Sequence, residues 1–167
     1  MRYLKYIKKL DPAAKSYFQI LFTYPIVRVM FWYRIAHYFY LKKRYFLSSF
    51  IMYRIRKKTG IEIHPGAIIG KNLFIDHGVG VVIGETAIIG NNCTIYQGVV
   101  LGGTGKEQGK RHPTLKDNVM VGAGAILLGN IEIGEKAKIG ANSVVLQDVP
   151  RGATVVGVKA HIVKNSI

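Results

Sequence analysis

Aliphatic residues recur at every sixth position through most of the chain. Ile63, Ile69 and Ile75 open the ladder, Val81 would be its next rung, and after a two-residue slip it continues at Ile83, Ile89, Ile95 and Leu101. It resumes at Leu115, Val121, Leu127, Ile133, Ile139 and Val145. Four places after many of these rungs stands a small residue: Ala67, Val79, Ala87, Cys93, Val99, Ala125, Ala137, Ser143. A strand alternates with period two and a helix with period 3.6, and neither holds a phase of six. The pattern predicts a triangular coil with one hexapeptide per side. Each aliphatic side chain points inward onto its copy one coil away, and the small residue fits the narrow interior. Gly70, Asn72, Gly90, Asn92, Asn130, Gly140 and Asn142 fall where corners are expected, in tight turns that need unusual backbone angles.

Residues 1–60 lack this phase. Met1–Leu10 reads as a short basic amphipathic helix or a frayed terminus. Asp11-Pro12 is expected to open a second helix reaching about Tyr24, with Asp11 accepting from free backbone amides and Pro12 at the first helical position. Pro25 starts a third, to about Leu41, with Val29, Trp32, Tyr33, Ala36 and Phe39 or Tyr40 on its apolar face. A fourth spans Tyr45 to Lys58, and Gly60 is a natural stop. The fold class is therefore α+β: an N-terminal α-helical region, 1–60, followed by a left-handed parallel β-helix, 61–167. One loop, 102–114, is ejected where the ladder breaks. It is glycine-rich and basic, and a regular solenoid gives it no packing reason to exist, so it is a functional candidate. The segment from Arg151 to Ile167 leaves the phase and is expected to pack over the last coil before a short tail.

Charge adds an asymmetry. Of 24 Lys and Arg, 14 fall in residues 1–60 against one acid, Asp11. Such a face can attract anionic lipid, nucleic acid or an acidic substrate, or be a solvated helical surface. No nucleic-acid motif accompanies it, so nucleic acid is not expected. Tyr17–Leu41 is apolar but interrupted by Pro25, Arg28 and Arg34, which makes a poor membrane span. The single Cys93 excludes an internal disulfide, occupies a small inward slot and suits a reducing compartment. With no signal-peptide pattern at the start, a cytoplasmic location is expected.

Three histidines mark where chemistry could sit. His77 takes the third place of its hexapeptide, where side chains can point outward, and Glu62 lies about one coil away. A carboxylate behind an imidazole fixes its tautomer and makes it a general base. His112, beside Arg111 on the loop, could assist the base or bind a carboxylate, for which Arg forks are well shaped. Each lone His could equally be a satisfied turn residue, Asp11 a simple cap and Glu85 a corner hydrogen bond. The run Gly102-Gly103-Thr104-Gly105 could be a hairpin or offer amides to an oxyanion or phosphate.

Thr59–Ala67, Phe74–Gly78, Gly80–Thr86, Tyr96-Gln97-Gly98, Leu101–Gly105, Arg111-His112-Pro113 and Gly122–Ala125 together resemble bacterial serine O-acetyltransferases, as do Asp11-Pro12-Ala13 and Tyr33–His37. The resemblance implies acetyl transfer from acetyl-CoA to L-serine in cysteine biosynthesis, without a metal. It implies His77 as general base with Glu62 as its partner, in a place where many members carry Asp. Asp11 and Asp76 would hold the serine amine and hydroxyl, and Arg111 with His112 its carboxylate. Gly103, Thr104, Ala123 and Ala141 would line the acetyl-CoA channel, and Lys159 would meet CoA phosphates. Typical members have a longer helical N-terminus that joins two trimers, so a homotrimer is expected here, with a hexamer the alternative. Ile167 is expected to engage O-acetylserine sulfhydrylase. Competing readings are a hexapeptide acetyltransferase acting on a sugar or related hydroxyl, a zinc site built from His64, His77 and His112, and a non-catalytic scaffold that uses the basic helices at a membrane surface.

Overall fold

A computed structural model describes residues 2–105 and 108–157. Four helices come first: α1 (Arg2–Leu10), α2 (Tyr17–Thr23), α3 (Pro25–Leu41) and α4 (Tyr45–Thr59). Pro25 sits at the start of α3, and Gly60 closes α4 in the left-handed conformation at φ +69°. The second helix begins later than expected. Ser16 is its cap and accepts from Gln19 N at 3.1 Å. Asp11 instead closes a turn, its Oδ1 accepting from Ala13 N at 2.7 Å. Trp32, expected on the inner face of α3, is exposed, and Ile26, Val29, Tyr33 and Ala36 bury that face.

Among the described residues fourteen short parallel strands follow, on three faces of a left-handed coil. One face holds β1 (Glu62–Ile63), β4 (Val82–Ile83), β7 (Val100–Gly102), β10 (Ile126–Leu128) and β13 (Val144–Val145). The second holds β2 (Ile68–Ile69), β5 (Ile88–Ile89), β8 (Thr114–Leu115) and β11 (Glu132–Ile133). The third holds β3 (Phe74–Ile75), β6 (Thr94–Ile95), β9 (Met120–Val121), β12 (Lys138–Ile139) and β14 (Thr154–Val155). The six-residue rungs from Ile63 to Val145 are buried, and so is Val81, though in a different slot as described next. Each such aliphatic side chain contributes roughly 1.5–3 kcal/mol when fully buried.

The slip in the ladder has a definite place. Glu62 pairs with Val82, 20 residues on, whereas Val82 pairs with Val100, 18 on. The two extra residues widen the corner after β3. Val81 therefore fills the small inward slot at 0% exposure, and Val79, expected there, is 68% exposed. The loop is the second irregularity: Ile88 pairs with Thr114, 26 residues on. At regular corners Asn takes the left-handed conformation, as at Asn72, Asn92, Asn118 and Asn142. Gly70 serves a different need from the one expected: a Cβ there would stand 2.8 Å from the Gly90 carbonyl carbon of the next coil. The chain after Arg151 keeps to the coil at least through β14, which pairs with β12.

Helix α3 is fastened to the first coil by its polar side chains. Tyr33 Oη donates to Ala67 O at 2.5 Å, and Arg34 donates to Ile69 O and Gly70 O at 2.9 and 2.7 Å. His37 Nδ1 lies 2.7 Å from Pro65 O, which fixes Nδ1 as the protonated nitrogen. The helices are thereby held at the end of the coil where the candidate residues lie.

Candidate active site

The candidate residues gather along two different edges of the prism. The first edge lies between the third face and the first. Its widened corner carries Asp76 and His77, and the later corners of the same edge carry Gly98, Ala123 and Ala141. Stacking is tight: Gly98 N donates to Val79 O at 2.9 Å, Gly124 N to Gln97 O at 2.8 Å and Asn142 N to Ala123 O at 2.8 Å. His77 adopts φ +58°, a conformation that residues other than glycine seldom take, and its side chain is 75% exposed. Its Nε2 stands 3.9 Å from Asp76 Oδ1.

Asp11 reaches this edge from the helical region. Its Oδ2 accepts a hydrogen bond from Tyr24 Oη. Burial, the hydrogen bond to Asp11 and the charges of Asp11 and Asp76 together push the Tyr24 phenol up to about 12. Tyr24 thus stays protonated and donates to Asp11, with the charge of Asp76 also acting on it. Sequence reasoning passed over Tyr24, because a Tyr between two helices has no spacing that marks it.

The second edge lies between the first face and the second. Glu85 sits at its centre: Arg111 Nη2 donates to Oε2 at 2.5 Å and Tyr40 Oη to Oε1 at 2.7 Å. These two hydrogen bonds, Tyr40's first, hold the Glu85 carboxyl below its usual range. The Tyr40 phenol is pushed up to about 12, chiefly by its bond to Glu85 and then by burial. His112 is packed inward at 8% exposure, with its ring over Gly84. Thr86 N donates to His112 Nδ1 at 3.2 Å, which leaves the proton on Nε2. Burial, followed by the charges of Arg111 and Lys110, keeps His112 neutral by lowering its pKa. His64, edge-on to Tyr40 at 5.6 Å, is lowered by burial as well.

Residues 112–147 match the model described as bacterial transferase hexapeptide (six repeats). A serine acetyltransferase of Bacillus subtilis (strain 168) is 58% identical over 153 residues, which are 92% of this chain and 70% of that protein. The chain belongs to the serine acetyltransferase family. Solved members have the same fold. Isoform 3 from Entamoeba histolytica, in complex with cysteine, superposes with a TM-score of 0.92 at 45% identity, covering 99% of this chain and 59% of that one. The Neisseria gonorrhoeae enzyme, in complex with serine, gives 0.89 at 47% identity, covering 95% of this chain and 65% of that one. The chain therefore spans less than two thirds of these solved relatives.

Against that family background, the residues expected at the site divide cleanly. Asp11, Asp76, His77, Ala123 and Ala141 share the first edge. Arg111 and His112 share the second, with Gly103 and Thr104 at the base of the loop, Gly103 against the Arg111 backbone and Thr104 beside Gly129. Within one chain the two groups do not meet, and the first face separates them. Glu62 lies on that face and turns to Arg56, N to O 3.0 Å. Among the described residues the carboxylate within 4.0 Å of His77 is that of Asp76, so the expected Glu62–His77 pair is not formed inside a single chain. His64 and His112 flank one edge and His77 the other, so the three histidines of the zinc reading do not converge within a single chain. Among the described residues no group of three or more His, Cys, Asp and Glu is placed to hold a metal ion. Cys93 is buried, and its thiol is pushed up to about 11 by burial. Lys159 and Ile167 lie outside the described residues.

Proposed function

We propose that this chain transfers the acetyl group of acetyl-CoA directly to the hydroxyl of L-serine, giving O-acetyl-L-serine and CoA. His77 carries the reading: an exposed imidazole, set outward by a widened corner, with Asp76 beside it and Asp11 reaching the same edge. His77 takes the serine hydroxyl proton as the oxygen attacks the thioester carbonyl. The tetrahedral intermediate then collapses, the C–S bond breaks, and the proton passes to the departing CoA thiolate. Asp11 and Asp76 offer carboxylates to the serine ammonium, and Arg111 a fork to its carboxylate. His112, buried and neutral, positions Arg111 through the corner they share. Gly98, Ala123 and Ala141 leave a shallow strip along the first edge for the pantetheine arm.

The division between edges supports a homotrimer. A threefold arrangement that sets the first edge of one copy against the second edge of its neighbour joins His77 to Arg111, and Ala123 to Gly103 and Thr104. The groove between copies then holds both substrates. Glu62 would act there on His77 only after leaving Arg56. The test is release of free thiol from acetyl-CoA with L-serine, set against a panel of sugar and amino-acid hydroxyls. Serine-dependent release that far exceeds every other acceptor is expected. Equal or faster release with a sugar would overturn the assignment.

A further inference from the structure

The chemistry above leaves the outer surface of the helices unused. Between α3 and α4 runs an open groove of about 380 Å³, lined by Arg28 and Trp32 of α3 and by Phe50, Arg54 and Lys58 of α4 among others. Phe46, Phe50, Arg54 and Lys58 are spaced four apart and form one stripe along α4. A three-residue turn joins the two helices, so the start of α3 faces the end of α4. Arg28 and Lys58 thus lie at one end of the groove, Arg54 and Trp32 level with each other farther along, and Phe50 and then Phe46 towards the turn. Phe46 is 84% exposed and stacks on Phe50 at 6.0 Å between ring centroids. Phe31, also exposed, meets Trp32 edge-on at 5.5 Å. Among the described residues no carboxylate lies within 4.0 Å of Arg28, Arg54 or Lys58.

We infer that this groove docks the protein on the surface of an anionic phospholipid bilayer. Cations towards one end and exposed aromatics towards the other match a headgroup above an acyl boundary, the arrangement of interfacial helices. A second copy of the chain is a poorer occupant. The helical region carries 14 Lys and Arg against Asp11, so two such faces would repel. Aliphatic Leu21, Leu41 and Leu47 of the same helical region are also exposed, which suits an acyl boundary better than a stack of bases. No described helix is long and apolar enough to cross a membrane, so the contact is interfacial.

Trp32 is the single tryptophan of the chain and lines the groove, so its emission reads occupancy directly. The full chain is titrated with vesicles of equal phosphatidylglycerol and phosphatidylcholine, with vesicles of phosphatidylcholine alone, with single-stranded oligonucleotide and with dodecyl phosphate below its micelle concentration. A blue shift with the anionic vesicles is expected, together with quenching by brominated lipid and at least about tenfold weaker binding to neutral vesicles. Arg28→Glu/Arg54→Glu/Lys58→Glu should weaken vesicle binding by about tenfold or more while serine-dependent thiol release stays at the wild-type rate. Phe46→Ser should weaken binding with the charges intact. Equal binding to neutral vesicles, or wild-type binding by the charge-reversed variant, would overturn the inference. So would a shift produced by dodecyl phosphate or oligonucleotide but not by vesicles, or one that grows with protein concentration without lipid and marks a second copy as the occupant.

Discussion

Gly84→Ala tests whether His112 is a fixed part of its corner. A Cβ at residue 84 would stand 2.0 Å from His112 Cδ2 and 2.1 Å from Nε2, against the roughly 3.5–4.0 Å of comfortable carbon contacts. The backbone of Gly84 lies outside the left-handed region, so the collision and not the conformation sets the cost. The ring is tied on its far side, where Thr86 N and Oγ1 lie 3.2 and 2.9 Å from Nδ1. It can stay and be overpacked, at about 1–3 kcal/mol, or swing outward and give up hydrogen bonds of about 0.5–1.5 kcal/mol each. Either way the cost is about 1–3 kcal/mol, which corresponds to a melting point lower by roughly 2–12 °C in a chain of this size. Arg111 moves with the ring, so the serine KM should rise more than kcat falls. The assay is a cycle of thermal melts over wild type, Gly84→Ala, His112→Ala and the double variant. With the ring gone the added methyl has nothing to strike, so the double variant should melt with His112→Ala. Costs that add to within about 0.5 kcal/mol would refute the packing argument.

Four further outcomes are expected. His77→Ala should lower serine-dependent thiol release by about 10²–10⁴-fold, the ordinary worth of a general base, without lowering the melting point, since the side chain is largely exposed; activity near wild type would remove His77 from the mechanism. Glu85→Gln removes the ion pair that aims Arg111 and should raise the serine KM by roughly tenfold, equivalent to about 1.4 kcal/mol, and an unchanged KM would show that Arg111 does not hold the substrate carboxylate. Burial lowers the pKa of His64 and His112, so the unfolded chain takes up these protons at higher pH than the folded one. Stability is then complete above about pH 6.5 and falls as the pH drops through that value, and melts that do not decline on acidification, or a decline that His112→Gln does not reduce, would contradict the buried neutral imidazoles. Ile95→Ala empties a fully buried rung at mid-coil and should cost about 2–5 kcal/mol in denaturant unfolding; a cost below about 1 kcal/mol would mean that the stack collapses to fill the gap.

The six-residue ladder made the coil legible because a stacked prism repeats one requirement at every turn, and Ile63, Ile83, Leu101, Leu127 and Val145 answer it on one face. The positions of greatest interest are where the repeat fails. The slip after Ile75 was visible as a missing rung, but its consequence was not: two extra residues push Val79 out, draw Val81 in and turn His77 to solvent in a left-handed conformation. The break at 102–114 was equally visible, and it carries Arg111 and His112. Periodicity reports only what packing demands, so a departure from it marks residues held for another reason. What the repeat could not reveal is pairing between distant polar groups. Tyr40 with Glu85 and Tyr24 with Asp11 depend on where α2 and α3 settle against the first coil, and no spacing encodes that. Glu62 shows the opposite error. Its distance in sequence from His77 matches nearly one coil, yet α4 brings Arg56 closer, and the nearer cation takes the carboxylate. A charge on an open face is claimed by whatever tertiary neighbour arrives, whereas a rung inside the prism has one place to go. The interior was therefore readable residue by residue, and the edges only as candidates. That both irregular corners border the same face, one on each side, is why the chemistry proposed here needs the neighbouring copy: a single prism presents the base and the carboxylate-binding fork on different edges.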